Sequence, residues 1–247
     1  MARIDYDDAA AAAFETARKL PSEGLASWRA AIHKHLAPHR GMHVVDVGSG
    51  TGAWAAALTG WYEISVVAVE PSAAMRARSE FPNTVGGHAG ALPIRGHSMD
   101  GAWLSTVVHH IADLRAAAHE LARVLRPDAP VLIRAAFPGR YQHIRLVRHW
   151  PETAAVLDTY PSIQAVCEDF EAAGFAFEAV EAVPQITAVS TIALAATLSR
   201  EAHTPLMLID DRAYEAGLAR LHAAAATEHG PVVDSLDLLV LRNGPAK

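Results

Sequence analysis

From residue 42 to residue 135, short apolar runs alternate with helical stretches. Residues 42–48, 64–69, 100–106 and 131–135 read as strands, and a short third strand begins at Val85. The run 131–135 is apolar apart from Arg134, as a strand covered on both faces should be. Between the strands, 51–60, 72–79 and 114–125 read as helices. Ser72 is placed to cap the second. In the third, Leu114, Ala118, Leu121 and Leu125 share one face, and Arg126-Pro127-Asp128 stops it. Alternation at this spacing predicts an α/β fold with a doubly wound, mostly parallel sheet. Upstream, 7–19 reads as a short helix, and a second opens at Pro21-Ser22-Glu23 and runs through Trp28 and Ile32. Downstream, helices are expected at 144–150 and 162–173. A sixth strand follows at 175–183, then helical stretches at 187–199 and 211–228, and a last strand at 236–241.

One stretch carries chemistry. Val44-Val45-Asp46-Val47-Gly48-Ser49-Gly50-Thr51-Gly52 is a strand running into a glycine-rich turn, with a helix directly behind it. Glycine lets the backbone turn sharply and approach a ligand, and the helix N-terminus offers unpaired N–H groups. Gly48-x-Gly50-x-x-Ala53 also satisfies the loose dinucleotide pattern. Three features point elsewhere. Asp46, at the end of the strand, would repel a pyrophosphate and suit a cationic group. Glu70, at the tip of the next strand, can accept from both ribose hydroxyls. Gly52 is a glycine the dinucleotide pattern does not need.

With Val66-Val67-Ala68-Val69-Glu70-Pro71-Ser72, Met75, Gly87-His88-Ala89-Gly90-Ala91-Leu92-Pro93, Ser98-Met99-Asp100-Gly101-Ala102-Trp103-Leu104, Val107-Val108-His109-His110-Ile111 and Leu121-Ala122-Arg123-Val124-Leu125-Arg126-Pro127, the chain resembles the class I S-adenosylmethionine-dependent methyltransferases of small-molecule type. The likeness covers roughly residues 40–135. It implies a Rossmann-like seven-stranded sheet whose last strand is antiparallel and tucked inside, with helical cap elements. It implies S-adenosyl-L-methionine as cofactor, with Asp46 and the loop Gly48, Ser49, Gly50, Thr51 and Gly52 at its methionine end. Glu70 and Pro71 would lie at the ribose, and Met75, His88 and Ala89 beside adenine. The family usually has an acidic residue where His88 stands and often Glu where Gly90 stands. An N-terminal lid over the cofactor is also implied, with Tyr6, Arg18 and Trp28 lining it.

The expected division is one domain over 1–247: a lid at 1–40, a cofactor-binding core at 41–137, and cap insertions at 138–160 and 184–230. Ser105 and Thr106, at the end of the fourth strand, should face the ligand crevice. His109 and His110 follow, and two adjacent histidines on a helix cannot both face one pocket. They are candidates for a general base, together with His143 and Tyr141 in the loop after Phe137. Arg145, Arg148 and His149 read as a solvated helix face. The apolar run 187–199 fits either a cap or a dimer face, so the assembly is a monomer or a homodimer.

Composition narrows the partners. The chain has 247 residues, 51% hydrophobic, with a formal charge of −6 and no basic run, so a nucleic-acid acceptor is disfavoured. The single cysteine excludes an internal disulfide and fits the cytoplasm. No apolar run reaches membrane-spanning length, and no metal-ligand spacing stands out. The reaction expected is in-line methyl transfer to an O, N or C atom of a small-molecule acceptor, hydrophobic or natural-product-like. The alternatives are a cyclase or a ligand-binding scaffold on the same fold, and an NAD(P)-dependent oxidoreductase, which Asp46 disfavours.

Overall fold

The structure is a computed structural model and describes residues 22–244. A 3₁₀ turn at Ser22–Leu25 enters α1 (Ala26–Leu36). Then come β1 (His43–Val47), α2 (Ala53–Tyr62), β2 (Ser65–Glu70), α3 (Ala73–Ala77) and β3 (Thr84–Gly86). The regular alternation ends with β4 (Gly101–Ser105), α4 (Leu114–Val124) and β5 (Pro130–Ala135). With β6 (Phe175–Ala188) and β7 (Val232–Asn243), seven strands form one sheet in the order β3-β2-β1-β4-β5-β7-β6. β1 pairs in parallel with β2 on one side and β4 on the other. β7 runs antiparallel between β5 and β6. The mostly parallel sheet with an inserted last strand is therefore present.

Period-two alternation gives the sheet two apolar faces. Val45, Val47, Leu104 and Ile133 bury on one face with Leu121 and Phe170. Their neighbours Val44, Trp103 and Leu132 bury on the other, with Trp28, Ile32 and Val240. Removing one such side chain typically costs about 2–5 kcal/mol. Asp113 and Ser72 cap α4 and α3, accepting from the N–H groups of Ala116 and Met75. The chain leaves β1 toward β2 and returns at β4 on its other side. This strand-order reversal opens a crevice above the ends of β1 and β4.

The second half departs from expectation in length. β6 extends to Ala188 and β7 begins at Val232, so Gln185 pairs with Asp234 in a long antiparallel ribbon. Polar residues at 185, 187, 234 and 235 hide this extension from a hydrophobic pattern. Thr187 and Ala188 are thus strand residues rather than the start of a helix. A short helix, α6 (Thr153–Leu157), follows α5 (Arg145–His149), and α7 (Ile163–Ala172) packs behind the sheet. Beyond β6 come α8 (Thr191–Thr197), α9 (Thr204–Met207) and α10 (Asp211–Ala225). These cap helices share a small core of Trp150, Leu206, Ile209 and Leu221, joined by Leu194 and Leu198. Val189 and Ile192 remain exposed. Trp150 Nε1 donates to the Tyr214 carbonyl at 2.9 Å. A Cβ on Gly217 would lie 1.9 Å from the same nitrogen, so α10 meets the indole only because that position is glycine.

Candidate functional site

Gly48, Gly50 and Gly52 all have positive φ, at 70°, 57° and 82°. A Cβ on Gly48 would lie 2.3 Å from Val107 Cγ2, and one on Gly52 2.6 Å from Phe81 Cβ. Glycine is therefore required for both conformation and space. The loop is tied to β2: the N–H groups of Gly48 and Ser49 donate to the Val69 carbonyl, at 2.8 and 3.2 Å. Glu70 fixes it from the side, accepting from Gly50 N and Ser72 N, each at 2.8 Å.

Two cavities open at these strand ends. One, of about 590 Å³, is bordered by Glu70, Pro71, Met75, His88 and Ala89, with Gly48 and Gly50. The other, of about 320 Å³, is bordered by Asp46, Ser49, Thr51 and Gly52 on the sheet side and by cap residues above. Gly48, Gly50, Ser105, Thr106 and His110 border both, so the two spaces meet above β1 and β4.

Carboxyl groups line both spaces where they meet, Glu70 on the first and Asp46 on the second. Burial pushes the Asp46 carboxyl from 3.8 up to about 8; nearby Glu70 adds to the rise, and the Ala55 N–H opposes it. Burial also raises Glu70, against the pull of the Ser72 and Gly50 N–H groups and Arg76. Asp46 Oδ2 and Ser49 Oγ are buried and have no hydrogen-bond partner among the described residues. Buried acceptors left open beside a cavity call for a donor or a cation from outside. The α-ammonium and hydroxyl groups of S-adenosylmethionine are such groups, and a diphosphate is not. The residues present therefore fit that cofactor.

The far side of the second space is built differently. His109, His110, Arg134, Arg145, His149 and Gln185 border it, drawn from β4's loop, β5, α5 and β6. Val108–His110 is a 3₁₀ turn, not a regular α-helix. Both histidines consequently border the one cavity, their ring centroids 4.1 Å apart, which corrects the expectation that only one would. His109 also stacks flat on Tyr160, at 4.1 Å and 3°.

Four further expectations change. Trp28 is wholly buried and lines neither cavity. It packs edge-on against Trp103 and Trp54, and its indole N–H reaches Gln185. Tyr141 and His143 also stand away from both cavities. Arg140 clamps both oxygens of buried Asp237 at 2.8 Å, the Tyr141 hydroxyl donates to Asp158, and Ser235 N donates to the His143 carbonyl. Those bonds lay the loop along β7. Conversely, Arg145 and His149 border the cavity, with His149 only 4% exposed. Burial and then Arg148 hold the His149 ring below its ordinary value. Of the three, Arg148 alone is exposed as expected, and it shares Glu228 with Arg145. Tyr6 and Arg18 lie outside the described residues.

Gln185, Thr187, Asp234 and Tyr160 were missed. The one usable signal was Arg134, a charge inside a run that is otherwise apolar.

Among the described residues no three His, Cys, Asp or Glu side chains group as a metal site, and no helix is long and apolar enough to cross a membrane.

The fold is an open α/β sheet with a glycine-loop crevice at its strand ends, and the comparisons sharpen that description. A family described as a methyltransferase domain matches residues 45–133. An O-methyltransferase of Pyrenophora dematioidea is 33% identical over 112 residues, which cover 41% of this chain and 42% of that protein. O-methyltransferase cnsE of Penicillium expansum is 32% identical over 108 residues, 40% of this chain and 39% of the relative. The matched stretch thus spans about two fifths of the length of these curated relatives. A solved structure of a proposed methyltransferase from an antibiotic biosynthesis pathway of Anabaena variabilis ATCC 29413 shares the fold. Its TM-score is 0.63 at 21% identity, over 86% of this chain and 95% of that one. The match to a methyltransferase domain over residues 45–133 falls on the stretch whose glycine loop and Glu70 resemble the class I S-adenosylmethionine-dependent methyltransferases.

Proposed function

We propose that the protein transfers the methyl group of S-adenosylmethionine to a small-molecule acceptor, with oxygen the favoured atom. The observation that carries this reading is the meeting of the two cavities at Gly48, Gly50, Ser105, Thr106 and His110. A donor seated in one then faces an acceptor held in the other. The names of the two curated relatives support oxygen as the acceptor atom.

When bound, S-adenosylmethionine supplies an electrophilic methyl carbon on a sulfonium. The protein's task is chiefly to hold the acceptor in line and keep water out. Asp46 and the glycine loop hold the amino-acid end, Glu70 the ribose hydroxyls, and Met75, His88 and Ala89 the adenine. A ring nitrogen of His109 or His110 takes the acceptor proton where the acceptor arrives protonated. His149, kept neutral by burial and neighbouring arginines, is a third such nitrogen, in place of Tyr141 and His143. The cap, drawn from 138–160 and 184–230, closes the chamber. A formal charge of −6 supports a small molecule over nucleic acid, and a single cysteine suits the cytoplasm. A monomer or a homodimer fits this account equally.

Calorimetric titration of the purified protein with S-adenosylhomocysteine and, separately, with NADH tests the reading. Saturable heat from the first alone is expected. Heat from NADH alone would sink it. Transfer of labelled methyl from S-adenosylmethionine to metabolite extracts then reads the activity.

A further inference from the structure

A chain of hydrogen bonds crosses the floor of the acceptor chamber. Arg134 Nη1 donates to Ser105 Oγ at 3.3 Å, and its Nη2 donates to Gln185 Oε1 at 2.6 Å. The same Oε1 accepts from Trp28 Nε1 at 2.9 Å. The guanidinium stacks over Trp28 and Trp54, at 5.0 and 5.3 Å from the ring centroids, which holds it in place.

This network sets the orientation of the Gln185 amide. An amide has one accepting end and one donating end. Indole N–H and guanidinium N–H are donors only, and both meet the same amide atom. That atom must be the oxygen; the flipped amide would oppose donor to donor twice. The NH₂ end is therefore turned away from Trp28 and Arg134. Gln185 is 6% exposed and borders the chamber, and among the described residues nothing accepts from its nitrogen. An amide N–H of an otherwise buried residue, left open toward a cavity, favours a ligand that brings an acceptor.

We propose that Gln185 is a specificity-determining residue whose amide N–H binds a carbonyl-type oxygen of the methyl acceptor, so that the substrate is a hydroxy compound also bearing a ketone, ester or carboxylate oxygen. This rests on the methyl-transfer reading for what happens at the hydroxyl; the oxygen-binding role itself does not. The cation of Arg134 behind the amide polarises it toward such an oxygen. Trp28 is a positioning residue, acting through the amide and touching no ligand.

Matched probes test this: hydroxyaryl ketones against their deoxo partners, with 2-hydroxyacetophenone and 2-ethylphenol as the first pair. Affinities are measured by calorimetry with and without S-adenosylhomocysteine. Wild type is expected to bind the ketone about tenfold more tightly, the value of one buried hydrogen bond. Gln185→Glu keeps one oxygen on Trp28 and Arg134 and turns an acceptor into the chamber, so the preference should vanish or reverse. Trp28→Phe keeps the ring and removes one of the two orienting donors, so the preference should shrink. Melting curves confirm that each variant is folded.

No ketone preference in wild type, no ketone binding at all, or a preference that survives Gln185→Glu overturns the proposal. Ketone preference without S-adenosylhomocysteine binding would instead overturn methyl transfer and leave the Gln185 assignment standing.

Discussion

The proposed cofactor seat and the proposed acceptor chamber share strand ends but are built on different principles. The seat is made of backbone: three glycines with positive φ, two N–H groups on Glu70, and a helix start, all between residues 46 and 72. The chamber is made of side chains from β5, α5, β6 and the cap, and it holds Arg134, Arg145 and His149. The seat carries two carboxyls, Asp46 and Glu70, and leaves Asp46 Oδ2 and Ser49 Oγ open to a ligand. The difference teaches where substitutions should act. Changes in the seat should abolish binding of any donor, whereas changes in the chamber should alter which acceptor is used.

The largest effect is expected from Gly48→Val. Its side chain would enter Val107 and strain a left-handed residue, so stability should fall by about 2–4 kcal/mol and S-adenosylhomocysteine binding by at least about a hundredfold. Unchanged affinity would show that the loop is not the seat.

Asp46→Asn comes next. The native carboxyl titrates near 8 against 3.8 when unperturbed. A raised folded value means the fold holds its proton more tightly than the unfolded chain. Ligand-free stability should therefore fall as pH rises from about 4 to about 8, then level off. A cationic ligand selects the ionised form, so affinity should rise over the same window. Asn should flatten both curves, weaken S-adenosylhomocysteine about tenfold or more at pH 8, and raise the ligand-free melting temperature there by a few degrees. Parallel pH profiles in wild type and variant would remove Asp46 from the seat.

Gly217→Ala probes the other region. Its Cβ would collide with Trp150, so the cap should loosen at a cost of about 1–3 kcal/mol. Methyl turnover should drop about tenfold while S-adenosylhomocysteine affinity stays within about threefold. Equal loss of both would mean that cap and seat are one unit.

The smallest effect is expected from His143→Ala, whose side chain reaches neither cavity. Turnover should change by less than about twofold across pH 6–8. A lost acidic limb in the rate profile would restore it as the base.

Much of the seat was legible because it is local. Strand, glycine turn, helix and the acid at Glu70 lie within about 30 residues, and each leaves a pattern that period and residue type reveal. Ser72 as a cap followed from the same short-range rules, whereas Met75, which borders the first cavity, was placed by the family resemblance. The chamber was not legible. Trp28, placed by likeness in the lid, proved to be core. Arg145 and His149, taken for a solvated face, border a cavity beneath helices whose shared core is centred on Trp150.

The linear chain by itself determined the parallel strands, the glycine loop and the acids Asp46 and Glu70 at the strand ends, because those rest on backbone geometry and neighbours a few residues apart. Only the tertiary structure decided the acceptor side. There Trp28 and Gln185 stand 157 residues apart and meet through the register of an antiparallel ribbon. A contact across that distance depends on how long β6 and β7 pair, and alternating polar residues do not announce where such pairing stops.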